Sequence, residues 1–293
     1  MNKKPGEKGK LFDIVNGLVM LAVAFVMIYP LYYVLVASFS NASKFVAHKG
    51  MLWAPLSPNT LAYTLAFKNP MLIQGYANTI FVVVVGVLVN LTMTVIGAYF
   101  LSRKNVKLQK FIMIMIIVTM FFNGGMIPFY FAVRDLGLEN TRWSLILPVA
   151  INTFNLIIMK TSFMSVPESL TESACLDGAG HIRTLISIIL PITKSSLAVI
   201  GLYYAVEHWS SWFNAMLFLK DREKYPLQLI LREILIQNNM TEMADGGDVA
   251  GKAFISETIK YAIIVISTAP ILCVYPFLQK YFTQGVMIGA VKG

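Results

Sequence analysis

The chain has 293 residues, of which 57% are apolar and only 13% charged, where an ordinary soluble domain carries about 25% charged residues. That balance excludes a soluble fold. The formal net charge of +9 does not indicate a nucleic-acid binder either, because the basic residues are scattered over short loops instead of being gathered on one folded face. Two cysteines, Cys175 and Cys273, stand at unrelated positions with neither metal-ligand spacing nor a pairing framework around them.

In chain order, Lys3, Lys4, Lys8 and Lys10 precede the first apolar run as they would in a signal peptide. The run is too long and lacks a small-residue cleavage pattern, so it is expected to stay as a first membrane span. Charge-poor runs follow, giving six in all at 14–37, 79–101, 111–133, 143–159, 195–219 and 261–278, and Glu207 is the single formal charge inside them. A bilayer core about 30 Å thick needs roughly 20 mostly apolar helical residues to cross it. Each run therefore reads as a transmembrane helix, the fourth and sixth extended by their flanks to 143–163 and 259–279. The expected fold is an all-α integral membrane protein, one transmembrane domain over 1–293 with six spans.

Orientation follows from Lys and Arg close to the helix ends. The N-terminal lysines and the cluster Arg103, Lys104, Lys107 and Lys110 are dense, whereas Lys44, Lys49 and Lys68 are sparse in a longer loop. The N-terminus is therefore expected in the cytoplasm, and six spans return the C-terminus there. Loops 38–78 and 220–260 then face outward, and 160–194 faces inward.

The inward loop, about 165–191, reads SVPESLTESACLDGAGHIRTLISIILP. Ser165 before Pro167 and Glu168 has the form of a helix start, a capping hydroxyl followed by Pro and an acid in the first turn. The helix runs to about Leu176 and is expected to stop at Asp177-Gly178, where glycine permits a left-handed closing residue. Ile182, Leu185, Ile186, Ile189 and Leu190 then outline an amphipathic helix leading to Pro191 and the fifth span.

Glu172-Ser173-Ala174, three residues, Gly178, nine residues, Ile188, one residue, then Leu190-Pro191 resembles the EAA loop of ABC importer permeases, with Ser173 in place of the usual first alanine. The LDGAG at 176–180, the WFNAMLFL run from Trp212 and the ending GVMIGAVKG are similar to the MalG-type permeases of carbohydrate importers, in their oligosaccharide and lipoprotein-like subgroup. The resemblance covers nearly the whole chain. It implies a coupling helix seated in a groove of a cytoplasmic ATPase subunit, carried by Glu172, Ser173, Ala174, Asp177, Gly178, Ala179, Gly180, Leu190 and Pro191. It also implies a second permease subunit, two ATPase subunits that hold ATP and Mg, and an external sugar-binding protein entered by the loop at Met243, Asp245, Gly246 and Gly247. No G-x-x-x-x-G-K-[ST] phosphate loop occurs in the chain. No cofactor of its own and no enzymatic activity are expected, and His181 and Cys175 read as spectators.

Glu207 falls about 12 residues into the fifth run, about 18 Å along a helix, a depth at which charges normally face a cavity or a partner. In a continuous helix Glu207, Ser211, Asn214 and Phe218 share one face, with Tyr203 and Trp209 flanking it. Carboxylate, hydroxyl, amide and aromatic groups in one stripe suit the lining of a sugar path. They equally suit interhelical glue, with Glu207 bonded to a helix bearing Asn90, Asn123 or Asn152. A secondary transporter with Glu207 as its ion site would want paired repeats or interruptions at a fixed offset, and none is found. An intramembrane enzyme would want a nucleophile or metal set, and none is found.

Overall fold

The computed structural model describes residues 7–103, 105–237, 255–273 and 276. Every regular element among them is helical. They form two compact units. One contains α1 (Glu7–Ser38), α2 (Ala42–Ala47), α3 (Leu61–Lys68), residues 233–237 and residues 255–268 of α14 (Ile255–Cys273); the other contains Pro70–Arg232 and the described residues from 269 onward.

The first unit is organised by aromatic rings. Tyr33, Phe45 and Tyr261 meet with centroids 5.3–6.2 Å apart around buried Val36, Ala37 and Leu52. Trp53 packs on Phe25 and Tyr29. The Tyr29 hydroxyl accepts the Leu52 amide at 2.9 Å, and Ser38 Oγ and Tyr63 Oη bond at 2.7 Å.

The second unit is built on α4, Pro70–Ser102. Proline opens this helix where a missing N–H costs nothing, and at 1.5 Å per residue the 33 residues extend about 50 Å. The sequence places a span only over 79–101, because the polar residues Gln74 and Asn78 break the apolar run before Thr79. Two of these polar side chains tie α4 to the segment 223–227: Asn78 donates through Nδ2 to the Glu223 and Tyr225 carbonyls at 2.7 and 3.0 Å, and the Leu227 amide donates to Thr79 at 2.8 Å.

α5 (Gln109–Phe121) and α6 (Met126–Asp135) follow, bent by 116°. The run 111–133 is thus not one straight helix. Phe122 is extended, Gly125 takes φ +87° and its amide donates to Asn123 Oδ1 at 3.0 Å, so the glycines turn the chain back on itself. Two 3₁₀ turns, Arg142–Leu145 and Leu147–Val149, lead to α7 (Thr153–Met164), whose first amides are capped by Asn152 Oδ1. Then come α8 (Glu168–Leu176), α9 (His181–Thr184), a wide turn at Leu185–Ile189, α10 (Leu190–Ile192), α11 (Lys194–Ser210), α12 (Phe213–Phe218) and α13 (Leu227–Gln237).

By length and composition, Phe12–Ser38, Pro70–Ser102 and Ile255–Cys273 can each cross a membrane; six crossings are reached when each of three bent pairs is one span. The core of the second unit lies where α4, α7 and α11 pack, around Val95, Ala98, Leu101, Leu156, Met159, Phe163, Ile189, Ile200 and Tyr204.

Candidate functional site: a helix-elbow-helix loop and the polar ties behind it

The loop after α7 starts differently from the sequence expectation. Ser165 does not cap the next helix; its Oγ donates back to the Ser162 carbonyl at 2.7 Å, closing the end of α7. The N-cap of α8 is Pro167, without a side-chain bond, and Glu168 supplies the acid of the first turn. The reason is distance. Two residues separate Ser165 from Glu168, and buried Val166 pins the chain between them to the core.

The far end of α8 follows the expectation closely. Gly178 has φ +77°. Its amide donates to the Cys175 carbonyl at 3.0 Å and the Ala179 amide to the Ala174 carbonyl at 2.9 Å, the paired bonds of a Schellman closure. Gly180 is then the N-cap of α9. Of the motif residues, Ala174 is buried and packs inward while Glu172, Ser173, Asp177, Gly178 and Gly180 are exposed. Glu172 has no ion-pair partner among the described residues. Leu176 is 89% and Ile182 75% exposed, an apolar pair flanking the elbow. Leu190 packs on the core beside buried Ile189, and exposed Pro191 lies in the first turn of α10. The knob is therefore fastened at both roots, through Val166 and Ile189.

The stripe expected on the fifth span needs correction. α11 ends at Ser210, and Ser211 is extended with ψ 110°. The i, i+4, i+7 spacing joins residues into one face only in an unbroken helix, so Glu207 and Asn214 belong to different helices. Phe218 leaves the set altogether: it is 1% exposed, with Phe129 edge-on at 5.5 Å and Tyr130 stacked at 6.1 Å. Glu207 is exposed on α11, Tyr203 is 37% exposed one turn earlier, and Trp209 turns edge-on to Tyr76 at 6.3 Å. Ser211 and Asn214 are half-buried on either side of the break. Met243, Asp245, Gly246 and Gly247 lie outside the described residues.

The interhelical bonds offered as the alternative for Glu207 exist, but its neighbours make them. Asn90 donates through Nδ2 to the Val149 carbonyl at 2.6 Å and accepts at Oδ1 from His208 Nε2 at 2.7 Å; the amide can serve both only if His208 carries its proton on Nε2. One turn along, Tyr204 Oη bonds Thr94 Oγ1 at 2.7 Å and accepts the Asn152 amide at 3.0 Å. All four side chains are buried. They satisfy the Val149 carbonyl and the Asn152 amide of the irregular segment 142–152, groups that would otherwise be costly at membrane depth. Gly86 makes room for this: a Cβ there would lie 2.5 Å from His208 Nε2. The spacing of Gly86, Asn90 and Thr94, i, i+4 and i+8 on one α4 face, is the sequence signal for this tie.

At the opposite end of α4 lies a polar clasp. Asn140, at φ +56°, accepts the Lys220 and Asp221 amides at 3.0 and 3.1 Å and donates to Asp221 Oδ2 at 2.8 Å, while Lys224 Nζ donates to the Asn140 carbonyl. Glu139 accepts from Tyr130 at 2.6 Å and pairs with Lys220 at 3.1 Å. The Tyr130 hydroxyl first, and Lys220 second, hold the Glu139 carboxyl below its usual range; Lys224, then Asn140, do the same for Asp221.

No protein-family model matches the chain. Among curated proteins it is 41% identical over 286 residues to Protein LplC of Bacillus subtilis (strain 168), covering 97% of this chain and 96% of that one. It is 38% identical over 291 residues to the polygalacturonan/rhamnogalacturonan transport system permease protein YtcP of the same organism, covering 98% and 100%. Among solved structures, one of a bacterial ABC transporter involved in the import of the acidic polysaccharide alginate matches with a TM-score of 0.88 and 34% identity, over 96% of this chain and 100% of that one. The chain belongs to the MalG-type carbohydrate ABC importer permeases, an all-helical, multi-pass membrane family.

Proposed function

We propose that this chain forms, with a second permease subunit, the membrane path of a binding-protein-dependent importer for an acidic oligosaccharide, driven by two ATPase subunits that hold ATP and Mg. The observation that carries the coupling part is the Schellman-closed elbow at Gly178, which presents Glu172, Leu176 and Ile182 outward from a loop rooted in the core. An exposed carboxylate flanked by apolar side chains suits a basic-rimmed apolar groove on a partner. Residues 165–191 are then the cytoplasmic coupling loop, both chain ends lie in the cytoplasm, and the loop at Met243, Asp245, Gly246 and Gly247 meets the external sugar-binding protein. The acidic class rests on the stated substrates of two relatives, polygalacturonan/rhamnogalacturonan and alginate.

Glu207, Tyr203, Trp209, Ser211 and Asn214 contribute to the path around the break at Ser211. The test is uptake into proteoliposomes holding the assembled importer. ATP-dependent entry of a uronate oligosaccharide supports the reading, and uptake by this chain without ATPase subunits overturns it. In the same assay Glu207→Gln is expected to retain transport with altered selectivity, because the amide keeps shape and hydrogen bonding; Glu207→Ala is expected to assemble but transport poorly. Normal transport by the alanine variant removes Glu207 from the path.

A further inference from the structure

The sequence leaves His181 without a role, and the structure places its ring against α4. His181 is the first residue after the Gly180 cap. Its ring meets Tyr99 edge-on, centroids 6.3 Å apart at 66°, and its Nδ1 lies 3.3 Å from the Tyr99 hydroxyl. Tyr99 sits in the last turn of α4, half-buried against the core cluster, and the Arg103 guanidinium covers its face at 4.4 Å. The tyrosine is thus held on one side by the cation and on its edge by the imidazole.

We propose that Tyr99 is a positioning residue for energy coupling, a non-covalent attachment through which the elbow acts on α4 as well as on α11. This rests on the coupling-loop reading given above and extends it. By covalent connection alone the loop pulls on α7 through Val166 and on α11 through Leu190-Pro191. The Tyr99–His181 contact adds the end of α4, and α4 is already bound to α11 by Thr94–Tyr204 and Asn90–His208. A push on Gly178 to His181 therefore moves α4 and α11 as one block instead of twisting α11 alone. Arg103 fixes the tyrosine rotamer from the ring face, which keeps the contact with the exposed His181 from wandering.

The experiment uses the full importer with its binding protein, comparing Tyr99→Ala, Tyr99→Phe, His181→Ala, His181→Asn and the double alanine variant. The readouts are sugar taken up per ATP hydrolysed and the amount of intact complex. Expected is normal assembly with a fall in the uptake-to-hydrolysis ratio on the order of fivefold for either alanine variant, at the low end of usual site-to-site coupling. Tyr99→Phe, which keeps the ring, falls less. His181→Asn, whose side-chain amide reaches the position of Nδ1, recovers most of the ratio. The double variant is no worse than the singles, as for two residues of one contact. Glu172→Lys serves as the control for the loop. An unchanged ratio in both alanine variants while Glu172→Lys uncouples overturns the role of Tyr99 alone, as do losses that multiply in the double variant. An unchanged ratio in Glu172→Lys too overturns the coupling-loop reading itself.

Discussion

Two glycines carry opposite constraints, and substitution separates them. At Gly178 a Cβ would meet nothing within 4 Å, so the only penalty is backbone, φ +77°. A β-branched residue there costs about 1–3 kcal/mol in the left-handed region, enough to open the closure because α8 is short. Gly178→Val is expected to assemble normally and lose transport, whereas Gly178→Asn, which tolerates that region, keeps most of it; normal uptake by the valine variant in intact complex refutes this. At Gly86 the backbone is ordinary and space decides, since the His208 ring occupies the place of a side chain. Gly86→Ala displaces that ring and leaves Asn90 with an unmet acceptor, so less assembled protein is expected, read as recovery of detergent-stable complex. His208→Ala removes the same bond, and such polar contacts in membranes are worth about 0.6–1.7 kcal/mol. Within a double-mutant cycle Asn90→Ala and His208→Ala should be strongly non-additive.

The clasp between Glu139–Asn140 and Lys220–Lys224 joins the end of α6 to the segment after α12, and its charges define a pH window. Glu139 and Asp221 are held low by hydrogen bonds and cations, so their contribution is present above the unfolded value near pH 4 and is lost as pH falls through the lower folded value. Lys220 is held high, chiefly by its hydrogen bond to Glu139, so its contribution is complete below about pH 10 and is lost only above its raised folded value. Protection of the Lys220 and Asp221 amides against hydrogen exchange should stay level from about pH 5 to about pH 9 and fall below about pH 4. Loss near pH 6 would assign control to a histidine. What was legible at this scale followed local chemistry. Asp177-Gly178 marked the end of α8 because glycine at a left-handed position is a local necessity. The bend at 122–125 and the break at Ser211 were less legible, since an apolar run looks the same straight or folded and only packing decides. Ser165 shows the same limit: a capping residue serves whichever helix end lies nearest, and here the nearer one is that of α7. The Asn90–His208 tie was written in i, i+4 spacing on α4, but its partner lies 118 positions away.

For the whole molecule, the proposed arrangement of chain relative to membrane rests on charge density at the helix ends, and the native thiols offer its test. Cys175 is exposed in α8, two residues before the Asp177 that caps it, and Cys273 is exposed in α14. If the dense cluster around Arg103–Lys110 marks the cytoplasmic side, α8 lies there too, because residues 111–159 cross and return. In a Cys273→Ser background, a membrane-impermeant maleimide should label Cys175 in inside-out vesicles and leave it untouched in right-side-out ones. Assembly with the ATPase subunits should then slow the labelling, since Leu176 and the elbow beside Cys175 would be covered, and Glu172→Lys should restore it in proportion to lost association. Labelling from the outer side would reverse the orientation and with it the coupling role of the loop. Labelling from the inner side at the same rate with and without ATPase subunits would keep the orientation but move the docking surface away from α8.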